Sequence, residues 1–231
     1  MPDVDAIFSS ESYGDYLAEF LEVKHIAFDL KRNSFPVSAS AILANPWQHW
    51  DFIAKTVRPY FLKKVVLLGT ESTGKSTLAE KLAGYFNTGY VPEMAREILE
   101  KTEDCRPGHL TQIAELHAKE IMKRAKDTAR LLFIDTDINI TRSYSTYLFN
   151  QPLHVPEWVE EANKAHLYLF LEPDCEFVQD GTRLPDEERK KLSLFHKEQL
   201  KETGIAYFSI SGNWDERFKK AIIIVKEYFK I

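Results

Sequence analysis

Gly69-Thr-Glu-Ser-Thr-Gly-Lys-Ser-Thr77 is the stretch on which the reading of this chain turns. It fits the pattern GxxxxGK[ST], and its surroundings give that pattern weight. Val65, Val66, Leu67 and Leu68 run into it as an apolar segment suited to a buried strand. Ser76 then opens a helix that would turn Leu78, Leu82 and Tyr85 or Phe86 inward. A strand, a glycine-containing loop and a helix N-terminus in this order make a concave anion site, because loop amides and the first helical N–H groups converge there. A side chain at Gly74 would obstruct a phosphate. In such a loop Lys75 reaches the β- and γ-phosphates of ATP, and the Ser76 hydroxyl is a ligand for Mg2+. The nucleotide-binding stretch is thus Gly69, Thr70, Glu71, Ser72, Thr73, Gly74, Lys75, Ser76 and Thr77.

A loop of this kind needs a second Mg2+ anchor, usually an Asp at the end of an apolar strand, and Leu131-Leu-Phe-Ile-Asp135 supplies it. Asp137 follows and either caps the next helix or points with Asp135 into the site, since alternate residues at a strand end face the same way. A phosphoryl acceptor must be positioned and, if it is a hydroxyl, relieved of its proton. Val91-Pro-Glu-Met-Ala-Arg96 sets a carboxylate and a guanidinium together at the expected start of a helix. Glu93 is suited to accept from a ribose hydroxyl and to act as base, with Arg96 binding an anion or orienting Glu93. An acidic first turn with an i,i+3 ion pair is the plain alternative. Gln179-Asp-Gly-Thr-Arg183, then Pro185 and Arg189, reads as a mobile lid whose Arg183 and Arg189 close on the transferring group, or as a solvated loop before a charged helix. Ser211-Gly-Asn-Trp214 follows the last strand, where Asn213 and Trp214 could meet adenine, although turn chemistry alone would explain Gly212 and Asn213.

Outward from the loop, short apolar runs alternate with amphipathic stretches from Lys63 onward. This predicts an α/β fold, a P-loop kinase with a five-stranded parallel sheet flanked by helices. Strands are expected at Lys64 to Leu68, Thr88 to Val91, Leu131 to Ile134, His166 to Leu171 and Ile205 to Ile210. Phe218, Ile222, Val225 and Phe229 mark a terminal helix that packs on the sheet. Leu110, Ile113, His117, Ile121 and Ala125 recur in the same way, so His117 reads as a buried helix residue rather than a metal ligand; no second His or carboxylate lies at metal spacing. Residues 1–62 form a small α/β region apart from the kinase domain at 63–231. It shows short strands at Asp5 to Ser9 and Lys24 to Phe28 around a helix at Tyr13 to Val23. A second helix is expected from Asn45-Pro-Trp-Gln48, with Trp47, Trp50, Ile53 and Val57 on its apolar face. One βαβ unit and a helix cannot bury their own core. The region must lean on the kinase domain, pair with another chain, which leaves room for a homo-oligomer, or be the remnant of a larger domain.

Composition narrows the partners. The net charge of −5 is spread over mixed acids and bases without long single-sign blocks, which argues against nucleic acid or a membrane surface and for a small polar substrate. Cys105 and Cys175 lack CxxC or Cys/His spacing, so neither a disulfide framework nor a structural zinc is expected. The opening Met-Pro-Asp-Val-Asp lacks the features of a signal peptide, and no apolar run approaches the roughly 18 residues of a membrane span. The expected location is cytoplasmic.

In combination, the 69–77 loop, Val91-Pro-Glu-Met-Ala-Arg-Glu97, Phe133-Ile-Asp-Thr-Asp137, Gln179-Asp-Gly-Thr-Arg183 and Ser211-Gly-Asn-Trp-Asp-Glu-Arg217 resemble the ribosylnicotinamide kinase domain of the NadR-type bifunctional proteins of NAD salvage. The resemblance implies ATP-dependent phosphorylation of the 5'-hydroxyl of nicotinamide riboside. Phe8-Ser-Ser-Glu-Ser-Tyr-Gly14, Phe35-Pro-Val-Ser-Ala-Ser-Ala-Ile-Leu43 and Val57-Arg-Pro-Tyr-Phe61 resemble the C-terminal part of the same family's nicotinamide mononucleotide adenylyltransferase module and its join to the kinase. The HxGH motif of that module is absent and Leu43 stands where its arginine would lie. A nucleotidyl transfer site without these groups loses most of its charge stabilisation, so no adenylyltransferase activity is expected. Nor is a repressor function, for want of room for a helix-turn-helix domain. Two rivals share the loop. One is a P-loop kinase for another nucleoside or nucleotide, in which a monophosphate acceptor would need a fixed cationic pocket. The other is a non-catalytic ATP sensor, against which the candidate base and the lid arginines count.

Overall fold

The computed structural model describes residues 4–99, 104–175 and 185–231. The chain divides into two compact units, Met1–Ala54 and Lys55–Ile231, so residues 55–62 group with the larger unit rather than with the N-terminal region.

In the smaller unit β1 (Ala6–Ser9) and β2 (Lys24–Ala27) pair in parallel, with α1 (Tyr13–Leu21) as the crossover. Gly14 lets α1 come close to the strands, since a Cβ there would run into Ser9 Oγ and His25 Nε2. His25 bridges the elements: Nε2 lies 2.9 Å from Ser9 Oγ and Nδ1 2.7 Å from Asp15 Oδ1. Next comes α2 (Ala39–Ala44), which the sequence reading did not anticipate; Ser38 Oγ caps it by accepting from Ala41 N at 3.0 Å. The helix expected from Asn45 does not form. Asn45 Oδ1 accepts from Gln48 N at 3.2 Å, as a cap would, yet only a 3-10 turn at Trp50–Phe52 follows. One capping bond does not offset the cost of nucleating a helix. Burial selects instead, taking in Trp50 and Ile53 while Val57 stays 47% exposed, so these residues share no helical face.

In the larger unit α3 (Arg58–Phe61) leads into β3 (Lys63–Leu68), then α4 (Lys75–Tyr85), β4 (Gly89–Val91), α5 (Pro107–Asp127) and β5 (Leu131–Asp135). The chain continues through α6 (Ile138–Phe149), α7 (Glu157–Asn163), β6 (Leu167–Leu171), α8 (Asp186–Glu202), β7 (Phe208–Ile210) and α9 (Trp214–Phe229). Among the described residues the sheet has five strands, all parallel, in the order β4-β5-β3-β6-β7. Val65 to Leu68 and Leu131 to Asp135 are buried throughout, as parallel strands covered on both faces must be. In α4, Leu78 and Leu82 face inward and Phe86, not Tyr85, follows them, its ring 5.7 Å from Phe133. His117 lies buried on α5 with Leu110, Ile113, Ile121 and Ala125.

Two local expectations need correction. The innermost stripe of α9 is Arg217, Ala221 and Val225, with Phe218, Ile222 and Phe229 only flanking it. Large aromatic side chains reach the sheet from the margins, which leaves the centre to smaller residues and to one guanidinium. After β4, Glu93 precedes a 3-10 turn at Ala95–Glu97 rather than a regular helix. From β3 the chain moves out to β4 and back through β5 on one side, then crosses to β6 on the other. The crevice at the C-terminal end of β3 is therefore the switch point where ligands lie in such sheets.

Candidate nucleotide site

Residues 69–77 leave β3 at that crevice. Gly69 (φ +136°), Ser72 (φ +59°) and Gly74 (φ +83°) all have positive φ, so the loop alternates handedness and turns successive amides toward one concavity. Both glycines are also demanded by space. A Cβ at Gly69 would stand 2.7 Å from Leu171 O, and one at Gly74 would stand 2.0 Å from the edge of the Trp214 ring. Thr70 O braces the loop by accepting from Thr73 Oγ1 at 2.8 Å and from Lys75 Nζ at 2.9 Å. Lys75 is 6% exposed, and α4 begins with it. Its ammonium lies across the loop, at the position from which it can meet phosphate oxygens.

Ser76 Oγ donates to Asp135 Oδ2 at 2.5 Å, and Thr136 Oγ1 lies 3.3 Å from Asp135 Oδ1. The register pairs Leu67 with Asp135, which brings the two strand ends level and the carboxylate to the loop. Two hard oxygen donors set together beside a phosphate loop are a donor set that fits Mg2+. Asp137 has the other role allowed to it: its Oδ1 accepts from Asn139 N at 2.9 Å and Ile140 N at 3.4 Å, capping α6. Burial pushes its carboxyl up to about 6, against the pull of the Asn139 and Ile140 hydrogen bonds. Asn213 likewise caps a helix, its Oδ1 accepting from Asp215 N and Glu216 N at 3.1 and 3.0 Å. Trp214 starts α9 with its ring over Gly74 and stays 46% exposed.

Arg189 differs most from expectation. It is 1% exposed, and its guanidinium donates to Ser72 O at 3.3 Å, to Pro173 O at 3.4 Å and to Asp186 Oδ1 at 2.6 Å. It is a strut holding the loop apex, not a surface cation waiting to close. Arg183 and the rest of 179–183 lie outside the described residues, as does the side chain of Arg96.

Tyr144 of α6 lies within electrostatic reach of two carboxylates. Burial raises its phenol well above the ordinary range, and Glu71, Glu93 and Cys105 are near enough to raise it further. His196 of α8 packs edge-on against Tyr144, centroids 5.1 Å apart, with Nδ1 2.7 Å from Ser143 Oγ. Burial, and then the Lys75 charge, push its imidazole down to about 3. Tyr144, His196 and Arg217 were not singled out from sequence. Arg217 alone left a trace, as the last residue of the Ser211 to Arg217 stretch that carries the resemblance.

The strand order, the loop and the Ser76–Asp135 link define a P-loop kinase fold. The chain belongs to the AAA_28 family of AAA domains, which matches residues 64–217. It is homologous to two trifunctional NAD biosynthesis/regulator proteins, NadR of Escherichia coli (strain K12) and of Salmonella typhimurium, at 30% identity to each. The alignments take in 96% and 95% of this chain but 57% and 55% of the relatives, so the chain spans about half their length. A solved NadR protein in complex with NR has the same fold, with a TM-score of 0.76 at 24% identity over 100% of this chain and 70% of that one. A NadR protein in complex with NAD and AMP-PNP gives 0.73 at 23% identity over 98% and 67%. A deoxyadenosine kinase from M. mycoides gives 0.51 at 13% identity over 71% and 99%.

Proposed function

We propose that this chain transfers the γ-phosphoryl group of ATP to the 5'-hydroxyl of nicotinamide riboside, giving the mononucleotide in NAD salvage. The observation that carries the reading is the Ser76 to Asp135 hydrogen bond of 2.5 Å beside the 69–77 loop. The homology to NadR supports nicotinamide riboside over other ribosides. The loop amides and Lys75 hold the triphosphate, while Ser76 and Asp135 hold Mg2+. Mg2+ held by these two side chains would supply positive charge against the charge that develops on the phosphates. Asp135 already engages Ser76 through one oxygen and Thr136 through the other, which favours Glu93 as the group that takes the hydroxyl proton. Arg96 orients Glu93 or the riboside, and Arg183 neutralises charge on the transferring group. Catalysis is then mostly positioning and electrostatics.

The test is ADP release measured across a panel of ribosides and nucleoside monophosphates. Stimulation by nicotinamide riboside well above the others is expected. A preference for a deoxynucleoside or a monophosphate would reassign the acceptor, and ATP binding without turnover on any of them would leave a nucleotide sensor instead.

A further inference from the structure

Arg217 is 1% exposed, and its guanidinium is shared among three segments far apart in the chain. Nη1 donates to Thr73 O at 3.0 Å in the phosphate loop, and Nε to Gly212 O at 2.7 Å in the turn after β7. Nη2 donates to Glu172 O at 2.9 Å, just past β6, and pairs with Asp174. Asp174 in turn accepts from Gly212 N at 2.8 Å. Arg189 meanwhile donates to the neighbouring carbonyl, Ser72 O. A trans peptide points its C=O and N–H in opposite directions. Two buried guanidiniums that hold the carbonyls of Ser72 and Thr73 therefore turn the amides of Thr73 and Gly74 the other way. We infer that Arg217 is a positioning residue for ATP: through Thr73 O it aims the Gly74 amide toward the phosphate side of the loop, and it locks the 211–214 turn, with Trp214 over Gly74, to the same loop.

A buried guanidinium could instead serve stability alone. That role would lower the unfolding temperature of an Arg217 variant without changing how the folded protein meets its nucleotide. The affected ligand should be the triphosphate, whether or not a nucleoside is attached, and the acceptor side should be indifferent.

The inference rests on the kinase reading, and the experiment separates the two. The full chain and R217K are titrated calorimetrically with Mg2+-ATP and with inorganic tripolyphosphate, and KM is measured for ATP and for nicotinamide riboside. Lysine keeps the charge but cannot reach three carbonyls in one plane. Losing the charge-assisted bond to Thr73 O should weaken both phosphate ligands by about tenfold and by the same factor. KM for the riboside should stay within about twofold, since no bond to the acceptor side is changed. R217K that binds both phosphates as wild type does, or that loses riboside affinity to the same extent, overturns the inference. Wild-type protein that binds neither phosphate ligand overturns the kinase reading itself. If R217K does not fold, D174N loosens the same guanidinium from one side; it should weaken both ligands by about threefold, and unchanged binding overturns the inference.

Discussion

Lys75 shows how much one residue can be read in advance. Its place follows from a spacing of a few residues, and the structure returns it buried at the start of a helix with its ammonium on the loop carbonyl of Thr70. Lys75→Ala should cut ADP release by about two to three orders of magnitude, with an unfolding temperature near that of wild type. Retained turnover would remove Lys75 from the site. Ser76 and Asp135 were legible for a related reason, since a strand end and a helix start each have local signatures. Arg217 was not. Its partners lie 5, 43, 45 and 144 positions away, and no local pattern announces a bond of that span. Arg189 was visible as a cation, open between a mobile lid and an ordinary charged helix, and neither reading foresaw its burial, because spacing does not tell a buried charge from an exposed one. For Asp137 the sequence left two roles open, and the structure shows the cap; Asn213, expected at adenine or in a plain turn, also caps a helix.

At the scale of elements, the strands of the larger unit were recoverable because buried parallel strands are short unbroken apolar runs. Their ends were less so: β7 keeps only Phe208–Ile210 of the expected Ile205 to Ile210. The helix that failed at Asn45 had a cap, whereas the turn after Glu93 starts with no side-chain cap at all. Good caps start a helix, and packing decides whether it continues. The junction of loop, α4 and α9 is the tightest of these local fits. Gly74→Ala would drive a methyl into the edge of the Trp214 ring at a φ of +83°, so Trp214 or the loop must move. The expected result is ATP binding weakened by at least about tenfold, together with a loss of about 1–3 kcal/mol in stability by denaturant unfolding. Normal ATP affinity in that variant would mean that the indole and the loop part without consequence.

At the scale of the whole molecule, stability should respond to acid through two buried imidazoles. Burial pushes His117 down to about 4, with Glu120 opposing the shift, and His196 down to about 3. Both are neutral when folded, whereas the unfolded chain takes up their protons below about 6.5. Their contribution is therefore present above that pH and is lost as pH falls, by about 3 kcal/mol for His117 between pH 6.5 and 4. Urea unfolding at pH 7 and pH 5 should show wild type losing more stability on acidification than His117→Leu; equal losses would mean that His117 stays accessible to protons. The general architecture could be read from alternating apolar runs, whereas the place where the chain divides could not. Residues 55–62 were expected with the N-terminal region and group with the larger unit. The order of strands has one further consequence. Both margins of the sheet, β4 and β7, are only three residues long. Fibrils lengthen by laying new backbone along an unsatisfied strand margin, and three residues give an incoming chain too few hydrogen bonds to hold its register. A sheet whose middle is almost wholly apolar thus ends on both sides in margins that make poor templates for growth.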